Sequence, residues 1–310
     1  MHKSIRTRIS FAIMGMLANY GVSAGSFSLY TESNGYSIGN FAAGVAAEAY
    51  DASTGWYNPA GLALIRKQQM ILGGVGVFPL TSLSGTTQFN TIEPNVPSYV
   101  QSFQNINGAE NGVVPSFYYA YPLSFGKDWT FALSVVAPFG LSTNWAPTSP
   151  VRYAATLSDL FSVDISPEIG GKLTENFAVG AGIDLQYASV KFNSILGSPA
   201  LLQALGESPT LWDSSVTNNG NSFAVGFHTG VLLMMRDNHT RLGVNYQSKI
   251  THHFTGNSQL MGPLASSDFL GGVLSNDAVF SSDTLRSNPI NFPDIITLSG
   301  YHDLNKKWAS

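Results

Sequence analysis

The 310-residue chain has no cysteine, which excludes a disulfide framework and any thiol chemistry. Charged residues make up only 11%, under half of the roughly 25% typical of a soluble globular domain. Long apolar runs are missing too. Beyond residue 25 no stretch of 18 apolar residues occurs, and a helix needs about 20 to cross a bilayer. A polytopic helical membrane protein is therefore excluded. A net charge of -4 gives no reason to expect a nucleic-acid partner. What is abundant is glycine (31 residues) and aromatic side chains (12%), at a mean hydropathy of only +0.07. This combination suits a membrane β-barrel, whose strands show lipid one face and a polar lumen the other.

The first 24 residues read as a secretory signal. Lys3, Arg6 and Arg8 form a basic start, Ile9 to Ala18 an apolar stretch too short to span a bilayer, and Val22-Ser23-Ala24 a small-residue cleavage site. Export and a mature start at Gly25 are expected.

After about residue 68 apolar residues recur with period two, the repeat that sends alternate strand side chains to opposite faces. In 129–141 the apolar set is Trp129, Phe131, Leu133, Val135, Ala137, Phe139 and Leu141. In 161–170 Phe161, Val163, Ile165 and Ile169 oppose Ser162, Asp164, Ser166 and Glu168. In 177–187 Phe177, Val179, Ala181, Ile183, Leu185 and Tyr187 oppose Gly180, Gly182, Asp184 and Gln186. Segments 223–233 and 241–250 repeat the pattern, the latter through Leu242, Val244, Tyr246 and Ile250; 70–78, 115–123 and 292–301 do so more weakly.

A soluble β-sandwich alternates as well, but the connections distinguish the two. Short links at 124–128, 174–176 and 236–239 alternate with long ones at about 79–114, 142–160, 194–222 and 251–291. Short periplasmic turns and long extracellular loops are the habit of outer-membrane barrels. The reading is all-β, a transmembrane antiparallel barrel. Eight strands are present, with a ninth beginning at Lys307-Trp308-Ala309. Because a barrel must close in lipid, roughly the last third is expected to lie beyond Ser310.

Between the signal and the first strand stand Gly44-Val45-Ala46, Asp51-Ala52-Ser53 and Tyr57-Asn58-Pro59-Ala60-Gly61-Leu62-Ala63. An isolated Asn-Pro is an ordinary turn. In this position the chain resembles the FadL family, Gram-negative outer-membrane channels for long-chain fatty acids and other hydrophobic compounds. The resemblance covers nearly the whole sequence. It implies a fourteen-stranded barrel, of which eight or nine strands are here, spanning 67–310. It also implies a hatch over 25–66 that plugs the barrel and is marked by Asn58, Pro59 and Ala60. The family's lateral exit, a kink in the third strand, falls at Pro138, Phe139 and Gly140. A proline that cannot donate and a glycine that weakens the ladder signal a bulge or break there on physical grounds alone.

Two long connections carry more large apolar residues than exposed loops usually do, a composition that marks a binding surface or a cap over the barrel. Leu201, Leu202, Leu205, Leu211 and Trp212 lie in one; Phe269, Leu270, Val273 and Leu274 lie in the other. Together they form the candidate hydrophobic groove. Ser198-Pro199 is expected to open a short helix. The family's basic partner for the cargo carboxylate corresponds here to Ser194, so recognition of a carboxylate does not carry over.

The histidines lack carboxylate or cysteine partners at metal-ligand spacing, and no nucleophile elbow or dinucleotide fingerprint is present. No metal, cofactor or enzyme activity is expected. The sequence-level reading is a monomeric outer-membrane channel, set in outer-membrane lipid, that takes up long-chain fatty acids passively. The alternatives are a channel for aromatic or alkane hydrocarbons, and a surface-binding adhesin barrel.

Overall fold

A computed structural model describes residues 28–90, 95–124, 128–235, 238–266, 282–305 and 308–309. The signal segment lies outside them, as do Phe269, Leu270, Val273 and Leu274.

Nine strands follow one another in sequence order across a single antiparallel sheet. They are β1 (Gln69–Val77), β2 (Gly112–Pro122), β3 (Trp129–Val136), β4 (Leu157–Thr174), β5 (Phe177–Leu196), β6 (Ser214–Met235), β7 (Thr240–Gln247), β8 (Ile295–Asn305) and β9 (Trp308–Ala309). This up-and-down order is what short turns between neighbouring strands produce. Beyond β3, Gly140–Asn144 also pairs with β4, and beyond β7, Thr255–Met261 pairs with β6. A separate ribbon, Leu83–Phe89 with Tyr99–Ile106, stands in the first long connection.

The two faces of the sheet sort as the alternation predicts. Phe131, Phe161, Ile165, Ile183, Tyr187, Phe223, Phe227 and Val244 project outward and exposed. Ala132, Ser134, Ser162, Ser166, Ala178, Ala188 and Asn245 face inward and are buried. On β5 the outward face is apolar from Phe177 to Tyr187 and polar at Ser189, Lys191 and Asn193. At ~3.3 Å per residue and a tilt near 40°, that stretch matches the ~25 Å apolar band of outer-membrane barrels. Phe161 and Tyr187, 6.2 Å apart, stand at its upper border.

The strands reach well past the sequence-based segments. β5 and β6 continue into 194–222, leaving only 197–213 outside them, and strand also fills Thr255–Met261 and Ser282–Arg286 within 251–291. Their outer halves lose the apolar/polar alternation because they rise clear of the apolar medium that imposes it. The expected helix is present as α4 (Pro199–Ala204), with Ser198 at its N-cap and Pro199 in its first turn, but the Ser198 side chain makes no capping bond.

Inside the sheet's concave face sit α1 (Gly35–Asn40), α2 (Val45–Glu48), α3 (Thr54–Tyr57) and a 3₁₀ turn, Pro59–Leu64. Trp56, Tyr57, Leu62 and Ile65 pack on Tyr118, Ala120, Ala132 and Val136. Ala47, Ala60 and Ala63 pack on Ala178, Leu232 and Met234.

Candidate functional site

The Asn-Pro-Ala triplet stands at the junction of α3 and the 3₁₀ turn of this inner segment. Asn58 caps the 3₁₀ turn, accepting the Ala60 N–H at 3.1 Å, while Pro59 takes the first turn, where no N–H is needed. The Asn58 amide donates to the Ala46 carbonyl (2.5 Å) and to the Val231 carbonyl of β6 (3.1 Å). One side chain thus ties the turn, α2 and the wall together. The wall admits the segment because it is bare at this place. A Cβ on Gly170 or Gly180 would collide with the Pro59 main chain, and one on Gly230 with the Asn58 side chain.

Wall side chains also donate to inner carbonyls. Tyr118 donates to Ser33 (2.5 Å), Thr130 to Ile65 (3.3 Å), Gln247 to Trp56 (3.1 Å) and His228 Nε2 to Gly55 (3.2 Å). The inner segment is short and irregular, so these donors satisfy carbonyls that its own helices leave free.

Behind the His228 contact lies a buried polar network. His228 Nδ1 is 2.6 Å from Asp184 Oδ1, which also accepts from Ser166 at 2.9 Å. Gln186 donates to Asp164 Oδ2 at 3.0 Å and accepts from His252 Nε2 at 2.8 Å. Glu168 stands 3.7 Å from His228 Nε2 with neither oxygen hydrogen-bonded. No group of three or more His, Asp or Glu among the described residues is arranged to hold a metal ion. Sequence spacing gave the histidines no carboxylate neighbours. Cross-strand register supplies them, since Gly182 pairs with His228 and with Glu168. The only trace in sequence was the polar parity of β4 and β5.

Pro138, Phe139 and Gly140 sit at a real break. Val136 pairs with Asp164 and Gly140 with Phe161, four steps along one strand against three along the other. The extra residue is a bulge, and it reverses the parity beyond it. Phe139, expected on the outer apolar face, turns inward and is buried against Leu160, Phe254 and Phe292. Leu141 pairs with the buried Leu160 but is itself exposed. The same correction applies to Ile250. From Gln247–His228 to Thr255–Asn221 there are eight steps against seven, and Ile250, read as outward, is buried.

The N-terminal segment lies across the β3 break. Ser28 bridges to Phe139, and the Leu29 N–H donates to the Pro138 carbonyl at 2.8 Å. Beside it is a narrow cavity of about 20 Å³, bounded by Tyr30, Trp56, Pro138, Phe139, Ile250 and Phe292, with Asp164, Asp184 and Gln247 as its polar side.

The loop residues are less united. Leu205 and Leu211 are exposed, Leu201 and Trp212 half-buried, and Leu202 is fully buried under α4 rather than open to a groove. The base of these loops is fixed by Arg152, itself buried. It donates to Asp213 (3.0 Å), Gln101 (3.3 Å) and the Tyr153 hydroxyl (2.8 Å). Burial, and then the bond to Asp213, push the Tyr153 hydroxyl above its usual range, and Asp213 holds Arg152 charged. All three groups of Arg152 are occupied, so it holds loops and not a ligand. Ser194 pairs with Val216 high on β5 and brings no cation.

The family model for outer membrane protein transport proteins (OMPP1/FadL/TodX) matches residues 15–310. The long-chain fatty acid transport protein of Salmonella typhi is 25% identical, over 99% of this chain and 69% of its own length. A crystal structure of a Pseudomonas aeruginosa FadL homologue superposes with a TM-score of 0.69 at 19% identity, covering 91% of this chain and 67% of its own. The Pseudomonas putida toluene transporter TodX does so at 0.54 and 18%, over 83% of this chain and 63% of its own. Both likenesses bear on the fold alone. With a family match over nearly its full length, this chain belongs to the OMPP1/FadL/TodX family of outer-membrane β-barrel transport proteins, which are channels and not enzymes.

Proposed function

We propose that the chain is a passive uptake channel for hydrophobic compounds, plugged by a hatch over residues 25–66 and opening sideways at the β3 break. The barrel occupies 67–310. The observation that carries this reading is the cavity beside Trp56, whose outer wall is Pro138 and Phe139. A one-residue interruption of the ladder lies there, and it is covered by Ser28 and Leu29 rather than by a neighbouring strand. Displacing two residues is a smaller rearrangement than moving the whole hatch, which is fastened at Asn58 and His228. Exposed Leu205 and Leu211, with the apolar residues of 269–274, are the proposed capture surface.

Energetics make such a route workable without fuel. Burying a methylene contributes ~0.8 kcal/mol, so a sixteen-carbon tail gains on the order of 12 kcal/mol gross. Lost translational and rotational freedom takes back about 4–15 kcal/mol. The net affinity is modest, which permits release.

The fatty acid transporters among the relatives make long-chain fatty acids the first cargo to test. The full-length protein should restore growth on oleate to a host lacking its own channel. Rescue on toluene or alkanes but not on oleate would favour the hydrocarbon reading. That second reading has one observation behind it: no lysine or arginine lines the cavity.

A further inference from the structure

We propose that the outward face of the sheet above its aromatic border binds the phosphorylated sugar headgroup of the outer-leaflet glycolipid, lipopolysaccharide. This rests on the family's place in the outer membrane and not on the route of the cargo. Directly paired side chains of antiparallel strands share a face, so the register sets this surface out in rows. The lower row runs Ser189, Asn221, Thr255 and Arg286; the upper runs Asp159, Lys191, Asn219 and Asn257. All but Ser189 and Asp159 are exposed. Their sequence neighbours Val190, Ser222 and Phe254 are buried on the inner face. Phe161, Tyr187 and Phe223 lie on the same outward face, so the polar stripe continues the lipid-facing surface without a break.

Height separates a glycolipid from a phospholipid. Lys191 and Asn193 follow Tyr187 on the same face of β5. At ~3.3 Å per residue and a tilt near 40°, they stand about 10 and 15 Å above it. A phospholipid headgroup layer adds only about 5–8 Å to the hydrocarbon on each side, whereas sugar reaches further. The chemistry fits as well. Lys191 and Arg286 lie three strand spacings apart, about 14 Å, a span on the scale of a phosphorylated disaccharide. Asp159 is the one carboxylate of the two rows and stands 4.0 Å from Lys191 in a solvent-exposed pair, too weak a tie to keep the ammonium from a phosphate. The side chains of Asn219, Asn221, Asn257 and Arg286 make no hydrogen bond or ion pair among the described residues. Amides offer donors and acceptors to sugar hydroxyls, and a guanidinium matches a phosphate bidentately. His253, exposed on the same face just before Thr255, adds a ring N–H.

The test titrates the detergent-solubilised full-length protein with lipopolysaccharide, with the same glycolipid stripped of its phosphates, and with phosphatidylglycerol. A chelator removes bridging divalent cations, and bound lipid is counted by native mass spectrometry. The native protein should bind lipopolysaccharide at least tenfold tighter than either of the others. The double variant K191Q/R286Q, at two exposed positions, should lose at least tenfold in affinity for lipopolysaccharide and hold it no better than the dephosphorylated form. N219A/N257A, which removes amides and keeps both cations, should weaken both glycolipids alike by at least threefold; it serves as the second variant should K191Q/R286Q fail to fold. Native protein that binds phosphatidylglycerol as tightly as lipopolysaccharide, or binds none of the three, would overturn the assignment, as would native affinity in the folded variants.

Discussion

At the scale of single residues, Asn58 carries more of the plug than its size suggests. Asn58→Ala would remove the side-chain donor of the Ala46 and Val231 carbonyls and leave the Ala60 N–H without its acceptor, in a buried place. An unmet buried group costs about 1–3 kcal/mol, so the inner segment should lose roughly 2–4 kcal/mol of local stability. Amide exchange over 46–65 should accelerate while β4 to β6 stay protected. A titrating contact can be tested in the same segment. Tyr36 donates to Glu48 at 2.8 Å, and that bond, with burial, raises the phenol to about 12. A folded value above the unfolded one near 10 means that this tie is whole below pH 10 and is lost as pH rises through 12. In Glu48→Gln the Tyr36 titration, followed by a labelled ring carbon, should move back toward 10. The triplet itself was legible in sequence because capping is local: Asn, then Pro, then a small residue. Its wall partners were not, since Val231 lies 173 positions away and only the strand register brings it near.

Elements were legible to the extent that lipid imposes a period. Every barrel strand was foreseen, but its upper half was not where the outer face becomes polar, as on β5 beyond Tyr187. The two parity reversals were missed for a related reason. Phe139 and Ile250 continue the odd or even apolar count of their strands in sequence, and nothing local announces that one residue is left over. Pro138 marked the place of the first break but not its consequence. Because the break is set by residue count, it can be removed by count. Deleting Ala137 makes three steps face three between Val136–Asp164 and Gly140–Phe161, closing the ladder while keeping Phe139 opposite Ser162, whose N–H already meets the Phe139 carbonyl at 2.9 Å. The deletion should leave heat-modifiable folding intact and cut uptake of the cargo by at least tenfold. Uptake at the native rate would exclude the sideways route.

For the whole molecule the governing fact is which solvent lies on which side. The inner face buries Asp164, Glu168, Asp184 and His228, linked through His228 and Ser166, and Asn245. The outer face presents Phe, Leu, Ile and Val without cover. Such a distribution is stable only with hydrocarbon outside. The depth of that medium can be measured on one strand. Ile183 sits midway along the apolar outer stretch of β5, and Ser189 lies just above its aromatic border at Tyr187. Arginine at the bilayer midplane costs about 2–4 kcal/mol and near the interface about 0–1. Ile183→Arg should therefore lower the free energy of folding into lipid vesicles by ~2–4 kcal/mol, and Ser189→Arg by ~1 kcal/mol or less, both read from urea titrations. Equal costs at the two positions would mean that no boundary lies between them, and the outward side chains of β3 to β7 would need another partner than lipid.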